Sequence, residues 1–282
     1  MFSGIGKDEA DAFIWRRLRP VLIIFPSEVP TMDKTSLGLP GNIRACLFDL
    51  DGVLTETAKL HAKAWRRMFD EFLSSRAASR GEPFVPFDAV RDYDEYVDGK
   101  PREDGTRSFL ASRGIKLREG SADDASSAET IHGLGRRKND ILLALVHESG
   151  VDAYPGSVRY LEAVRRAGLL TAVVSSSENC REMLISAGIE KMFDARIDGV
   201  SALRLGLAGK PAPDTFLAAA RFLGVRASRA AVFEDALAGV QAGRAGGFGF
   251  VVGVDRAGQA ERLRARGADI VVDDLGELME AT

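Results

Sequence analysis

Residues 45–55 read Ala-Cys-Leu-Phe-Asp-Leu-Asp-Gly-Val-Leu-Thr, a short apolar run that stops abruptly at two carboxylates, Asp49 and Asp51, spaced two apart. Such a run reads as a buried strand, and the two-residue period points both acids the same way where the strand ends. Gly52 directly behind them lets the backbone turn tightly, and in open α/β sheets ligands bind at that end of a strand. One aspartate could attack an electrophile while its neighbour handles a proton. An isolated Asp-x-Asp is also what a strand end capped by solvated acids looks like, so the rest of the chain has to decide.

Three further segments each sit where a strand would end. Leu169–Val174 halts at Ser175-Ser176-Ser177-Glu178-Asn179, which offers hydroxyls and backbone N–H groups ahead of a helix that Gly188 would terminate, a phosphate-sized cradle. In Gly209-Lys210-Pro211-Ala212-Pro213-Asp214, prolines fix the backbone around a lysine just before an amphipathic helix ending near Gly224. Ala230-Ala231-Val232-Phe233 runs into Glu234-Asp235, a second strand ending in paired acids. Asp49, Glu234 and Asp235 together beside a phosphate require a hard cation such as magnesium to offset their charge.

In this order, Asp49-x-Asp51-Gly52-Val53, Ser175, Gly209-Lys210-Pro211 and Glu234-Asp235 resemble the four motifs of the haloacid dehalogenase superfamily. The resemblance implies an α/β fold with a Rossmann-like doubly wound parallel sheet, and chemistry through an aspartyl-phosphate. Alternation of helix and strand from residue 153 onward agrees with it. Pro155-Gly156 opens a helix with Val158, Leu161 and Val164 on one face, and strands are expected at 195–198, 230–233, 248–252 and 269–272. The expected core is therefore 41–55 plus 153–282.

The intervening residues 56–152 read as a helical cap. Leu60, Ala64, Met68 and Phe72 recur every four residues, and Ile141, Leu142, Leu145 and Val146 mark another helix. Polar, small-residue stretches at 74–82 and 119–130 read as loops. The cap carries Thr57, His61 and Trp65, then Gly99-Lys100-Pro101-Arg102-Glu103-Asp104 and Arg137-Lys138-Asn139-Asp140, a set similar to the β-phosphoglucomutase branch of the superfamily. That resemblance implies that Arg102 holds the phosphate that is not reacting, that Lys138 and Asn139 contact the sugar or its phosphate, and that Thr57 and His61 help place the cap and the acid/base. Gly99, Ser177 and Asn179 complete the substrate-binding set it implies. On their own, a helix-borne Arg-Lys-Asn is a solvated face and a lone helical histidine is structural; Trp65 reads as core packing.

By the same resemblance Asp49 is the nucleophile and Asp51 the general acid/base, with Ser175 and Lys210 holding phosphoryl oxygens. Magnesium would be held by Asp49, Asp235 and the backbone carbonyl of Asp51, with Glu234 in support. The resemblance implies a phosphomutase, since a mutase must bind a second phosphate and Arg102 supplies the cation for it; the alternative is a phosphatase of a small sugar phosphate, and a binding protein without turnover is the third reading. The residue before Asn179 is an acid, Glu178, where that branch typically offers a lysine to the distal phosphate; Arg181 is the expected compensating cation.

Composition narrows the partners. The 282 residues are 45% hydrophobic, enough for one to two buried cores, and the net charge of −3 without a long basic run argues against nucleic acid. Only two cysteines occur, Cys46 and Cys180, with neither a metal spacing nor a disulfide framework, which suits a reducing cytoplasm. The absence of a long apolar patch points to a monomer. Residues 1–40 read as an N-terminal extension. Trp15-Arg16-Arg17-Leu18-Arg19-Pro20 followed by Val21-Leu22-Ile23-Ile24-Phe25-Pro26 is too short an apolar run for a signal core or a membrane span, and Met32 is a candidate translation start.

Overall fold

The first strand, β1 (Ala45–Phe48), lies in the middle of a six-stranded sheet and is buried along its whole length. The computed structural model describes residues 34–279, so the expectations about residues 1–33, including the start at Met32, lie outside the described residues. The other strands are β2 (Leu170–Val174), β3 (Ala195–Ile197), β4 (Ala230–Glu234), β5 (Phe250–Val254) and β6 (Ile270–Val272), in the order β3-β2-β1-β4-β5-β6. All pairings are parallel; Phe48 is level with Val173 of β2 and Phe233 of β4. The strand order reverses at β1, which sets the carboxyl ends of β1, β2 and β4 around one crevice.

Continuous apolar strands follow from burial of both sheet faces. On one face Cys46, Phe48, Val173, Phe233 and Val252 pack with Tyr160, Leu161 and Val164 of a helix at Pro155–Arg166. On the other, Ala45, Leu47, Ala172, Val174 and Val232 pack with Phe216, Val240 and Leu263. Leu37 and Leu39, within the stretch read as an extension, are also buried, and the Tyr160 hydroxyl donates to the Leu37 carbonyl at 2.9 Å. Strand β5 begins two residues later than expected, because Gly247 takes a left-handed conformation and Gly249 turns back to donate to the Ala230 carbonyl.

Between β1 and that helix the chain forms a second, helical layer. In chain order its helices are α1 (Ala58–Arg80), α2 (Arg102–Ser112) and α3 (Ile131–Ser149), with a π-helical turn at Tyr93–Val97. The first runs through residues 74–80, which the polar composition had assigned to a loop. Alanine, arginine and serine there continue the helix because Leu73 and Ala77 are buried, and Gly81, at φ 68°, ends it. The stretch 119–130 has no helix and ends in Thr130, whose hydroxyl accepts from the Gly133 N–H at 3.0 Å and caps α3. The cap has its own aromatic core: Phe69 lies 4.2 Å from Phe109 and 5.3 Å from both Trp65 and Phe87, centroid to centroid. Truncating a ring such as Phe109 to alanine would cost about 3–5 kcal/mol.

The chain leaves and re-enters the core side by side. Glu56 N–H donates to the Asp152 carbonyl at 2.9 Å and Tyr154 N–H to the Leu54 carbonyl at 3.0 Å. After the Pro155–Arg166 helix, now α4, the core helices are α5 (Cys180–Ser186), α6 (Gly199–Leu205), α7 (Asp214–Phe222), α8 (Leu237–Ala245) and α9 (Ala260–Arg266). Cys46 and Cys180 are both buried thiols. Among the described residues no helix is long and apolar enough to cross a membrane.

Candidate active site

Asp49 begins where β1 stops, and its amide still donates to the Phe233 carbonyl at 2.9 Å, so the sheet holds the nucleophile candidate rigidly. Beneath it the Lys210 ammonium donates to Asp49 Oδ1 and to the Val174 carbonyl at 3.1 Å, and lies 2.6 Å from Glu234 Oε1. Asp49, Lys210, Glu234 and Asp235 are all buried. Burial works against the charge on Lys210, but Asp49 and Glu234 outweigh it and hold its pKa above the usual lysine range. Burial pushes Asp49 well up, with Lys210 pulling the other way and Glu234 adding to the rise; Asp235 is pushed up by burial and then by Asp98 and Asp49.

One carboxylate oxygen from each of Asp49, Glu234 and Asp235 falls within 4.8 Å of the others. Three buried hard oxygen donors crowded together fit a divalent cation, which would favour the ionised form of Asp49 and Asp235. Two glycines make the space. A Cβ on Gly52, at φ 86°, would lie 1.7 Å from Asp235 Oδ2, and one on Gly239 would lie 1.8 Å from Glu234 Oε1. The side chain of Asp51 stands apart from this cluster: it accepts from the Thr57 hydroxyl and lies 3.6 Å from His61 Nε2.

Above these groups is a cavity of about 640 Å³ between core and cap. Asp49, Asp51 and Ser175 face it from the core, together with Ser177, Asn179 and Asp235; His61, Gly99, Arg102, Lys138 and Asn139 face it from the cap. Three expected site residues do not line it. Lys210 and Glu234 lie beneath Asp49, and Thr57 stands behind Asp51, bonded to it and 2.7 Å from the Thr55 hydroxyl, so it touches Asp51 and not the cavity. The Ser175 hydroxyl accepts from the Ser177 amide at 3.1 Å, leaving its own hydrogen for a ligand oxygen.

Core and cap are tied along one loop. Ser176 donates to the Gly99 carbonyl at 2.7 Å, Arg102 to Glu178 at 2.9 Å, and Asn179 to Asn139 at 2.8 Å. Arg181 turns to Glu190 at 3.1 Å and does not compensate Glu178; Arg102 does. Lys138 lies over the Trp65 ring at 5.1 Å, so the tryptophan is both core packing and a face for that cation. Its neighbours in the Arg137-Lys138-Asn139 run divide their work: Arg137 donates to the Ser126 carbonyl at 2.7 Å and holds the 119–130 loop. Lys100 likewise is structural, donating to Tyr96 O at 3.0 Å and Ser108 Oγ at 3.1 Å.

Two contributors were missed from sequence. Asp98 lines the cavity from the cap, and burial, with Glu234 next, pushes its carboxyl up to about 7; its only local signal was its place before Gly99. Arg256 donates to the Gly52 carbonyl at 3.0 Å while stacking 3.7 Å from the Tyr154 ring, which ties the turn after Asp49 to the segment returning from the cap. Nothing in the sequence around Arg256 marks it.

A sequence profile of haloacid dehalogenase-like hydrolases matches residues 43–247, spanning both β1 and the Glu234-Asp235 strand end. The chain belongs to that family. Within this haloacid dehalogenase-like family it is 57% identical over 253 residues to a β-phosphoglucomutase of Mycobacterium tuberculosis, covering 89% of this chain and 97% of the relative. It is 32% identical to the β-phosphoglucomutase of Bacillus subtilis, over 84% of this chain and 92% of that one. The crystal structure of β-phosphoglucomutase from Clostridium difficile superposes with a TM-score of 0.65 at 28% identity, covering 84% of this chain and 93% of that one.

Proposed function

We propose that this protein is a magnesium-dependent phosphotransferase working through an aspartyl-phosphate, a β-phosphoglucomutase interconverting β-glucose 1-phosphate and glucose 6-phosphate. One observation carries the reading: Arg102, a fixed cation from the cap, faces the same cavity as Asp49 and Asp51, so one ligand can present a phosphate to each end. The 57% identity to a β-phosphoglucomutase over almost its whole length supports it.

Asp49 Oδ attacks phosphorus, the bond from phosphorus to the sugar oxygen breaks, and Asp51 delivers its proton to that oxygen. Asp51 then takes the proton of the free hydroxyl of a β-glucose 1-phosphate, whose oxygen attacks the acyl phosphate, forming the bisphosphorylated sugar and freeing Asp49. Thr57 holds the Asp51 carboxyl for both tasks, with His61 Nε2 beside it at 3.6 Å. Ser175 orients a phosphoryl oxygen from the core side and Lys210 supplies positive charge from beneath Asp49, while Arg102, Lys138, Asn139, Ser177 and Asn179, with the backbone at Gly99, hold the sugar and its second phosphate. Asp49, Asp235 and the Asp51 carbonyl, supported by Glu234, would hold magnesium, which supplies the positive charge that offsets crowded anions and polarises the phosphoryl group. The working units are the core, 41–55 with 153–282, and the cap, 56–152. The enzyme acts as a cytoplasmic monomer on a small phosphorylated sugar, without nucleic-acid or membrane partners.

A second reading is hydrolysis of a sugar phosphate, favoured by Glu178, an acid set on Arg102 where a second phosphate would dock. Incubation with magnesium and β-glucose 1-phosphate separates them. Glucose 6-phosphate is the expected product; inorganic phosphate alone makes the protein a phosphatase, and no product makes it a binding protein.

A further inference from the structure

Arg102 stands at the first turn of α2 and spends its guanidinium on two acids. Its Nε donates to Glu103 at 3.2 Å and one terminal nitrogen donates to Glu178 Oε2 at 2.9 Å. Glu103 is the next residue on the same helix, whereas Glu178 comes from the core loop after β2 and crosses the cavity mouth to reach the cap. Of the three ties that this loop makes to the cap, Glu178–Arg102 is the one built from charges.

Glu178 is also placed to move. Its side chain is 43% exposed, against 20% for Arg102, so the acid can return to water at little desolvation cost while the guanidinium stays put. Gly199 lies directly alongside: a Cβ there would fall 3.0 Å from Glu178 Cγ, so the glycine keeps clear the space in which the acid sits. Arg181, the other nearby cation, is committed to Glu190, so Arg102 is the partner that Glu178 has.

A phosphate and a carboxylate recognise a guanidinium through the same forked hydrogen bonds. We propose that Glu178 is a built-in competitor for the anion site at Arg102, holding the guanidinium and the cap–core tie until the remote phosphate of a bisphosphorylated sugar displaces it. The inference rests on the reading of Arg102 as the distal-phosphate residue. It makes Glu178 a specificity-determining residue: ligands with a strong dianion at the remote end exchange for the carboxylate, and ligands with a hydroxyl there leave the tie closed.

The test is a double-mutant cycle read by calorimetric binding of glucose 1,6-bisphosphate, in an Asp49→Asn background so that no phosphoryl group is transferred. Glu178→Gln should tighten binding three- to tenfold, Arg102→Ala should weaken it at least tenfold, and in the Arg102→Ala protein the Glu178→Gln change should alter binding by less than twofold. If Glu178→Gln does not tighten binding while Arg102→Ala weakens it, the competitor is overturned and the distal site stands. If the gain persists without Arg102, Glu178 merely repels the ligand and the exchange is overturned. If Arg102→Ala leaves the affinity unchanged, the distal-phosphate reading itself fails. Glu178 is half exposed, so its glutamine variant is not expected to disturb folding; thermal melting of each variant confirms that all are folded at the assay temperature.

Discussion

The Lys138 ammonium lies 3.1 Å from His61 Nδ1, a lysine and a histidine brought together from two helices of the cap. A protonated lysine can only donate, so Nδ1 accepts and the ring hydrogen sits on Nε2, facing Asp51 at 3.6 Å. Each group resists a second positive charge. Burial pushes Lys138 down to about 7, with Asp51 opposing and Arg102 adding, and burial followed by Lys138 pushes His61 down to about 4.

The pH dependence of stability follows from these two directions. An unfolded Lys138 keeps its proton up to its ordinary value of 10.5, whereas the folded one sheds it near 7, so its contribution to stability rises with pH between those values and is lost as pH falls through them. Lys138→Met should therefore show a shallower rise of unfolding free energy between pH 7 and 10 in urea titrations than the parent protein. The same variant should move His61 up from about 4 toward 6.5 in a proton NMR titration. An unchanged slope and an unmoved histidine would disprove the coupling.

Lys210 sits between Asp49 and Glu234 with almost no exposure to solvent, and removing it strands two buried carboxylates. Lys210→Met should lower the stability of the metal-free protein by about 3–5 kcal/mol. Millimolar magnesium should recover part of that loss, because a ligand bound only to the folded state stabilises by mass action. Chemical denaturation with and without magnesium gives both numbers.

Gly52 is required by the neighbour it leaves room for. Gly52→Ala would force a methyl group against the Asp235 carboxylate and strain a left-handed backbone position, so the magnesium concentration for half-maximal activity should rise about 10- to 100-fold. Titration of activity against magnesium measures this; an unchanged midpoint would remove Asp235 from the proposed metal set.

Asp49→Asn keeps the shape of the proposed nucleophile and replaces its carboxyl with an amide. Sugar-phosphate binding should survive, while turnover falls by about 10⁴-fold or more and the covalent phosphate adduct disappears from the intact-protein mass spectrum. A retained adduct would assign the nucleophile elsewhere.

The core was legible because its signals are local. Each strand end carries its chemistry in consecutive residues, Asp49 to Gly52, Ser175 to Asn179 and Glu234 to Asp235, and a two-residue period links those residues to the buried run before them. The same locality misled at 74–80, where small and polar residues read as a loop although Leu73 packs in the cap core and Ala77 is buried. Arg256 and Asp98 carried no such signal, since their importance lies in what they approach and not in their neighbours along the chain.

Taken alone, the order of residues determined the parallel α/β sheet, the helical insertion and the identity of the acids and serine at the strand ends, because periodicity and strand-end chemistry are properties of near neighbours; the lysine segment, expected at a strand end, lies instead between the helices α6 and α7. Only the tertiary structure decided which groups share charge: Lys210 with Asp49 and Glu234, Lys138 with His61, Arg102 with Glu178, Thr57 with Asp51. The first three of these pairings join residues far apart in sequence. Their distances are set by packing within the core, within the cap and, for Arg102 with Glu178, of cap against core, and electrostatic energy depends on that separation and on how much water remains between the groups.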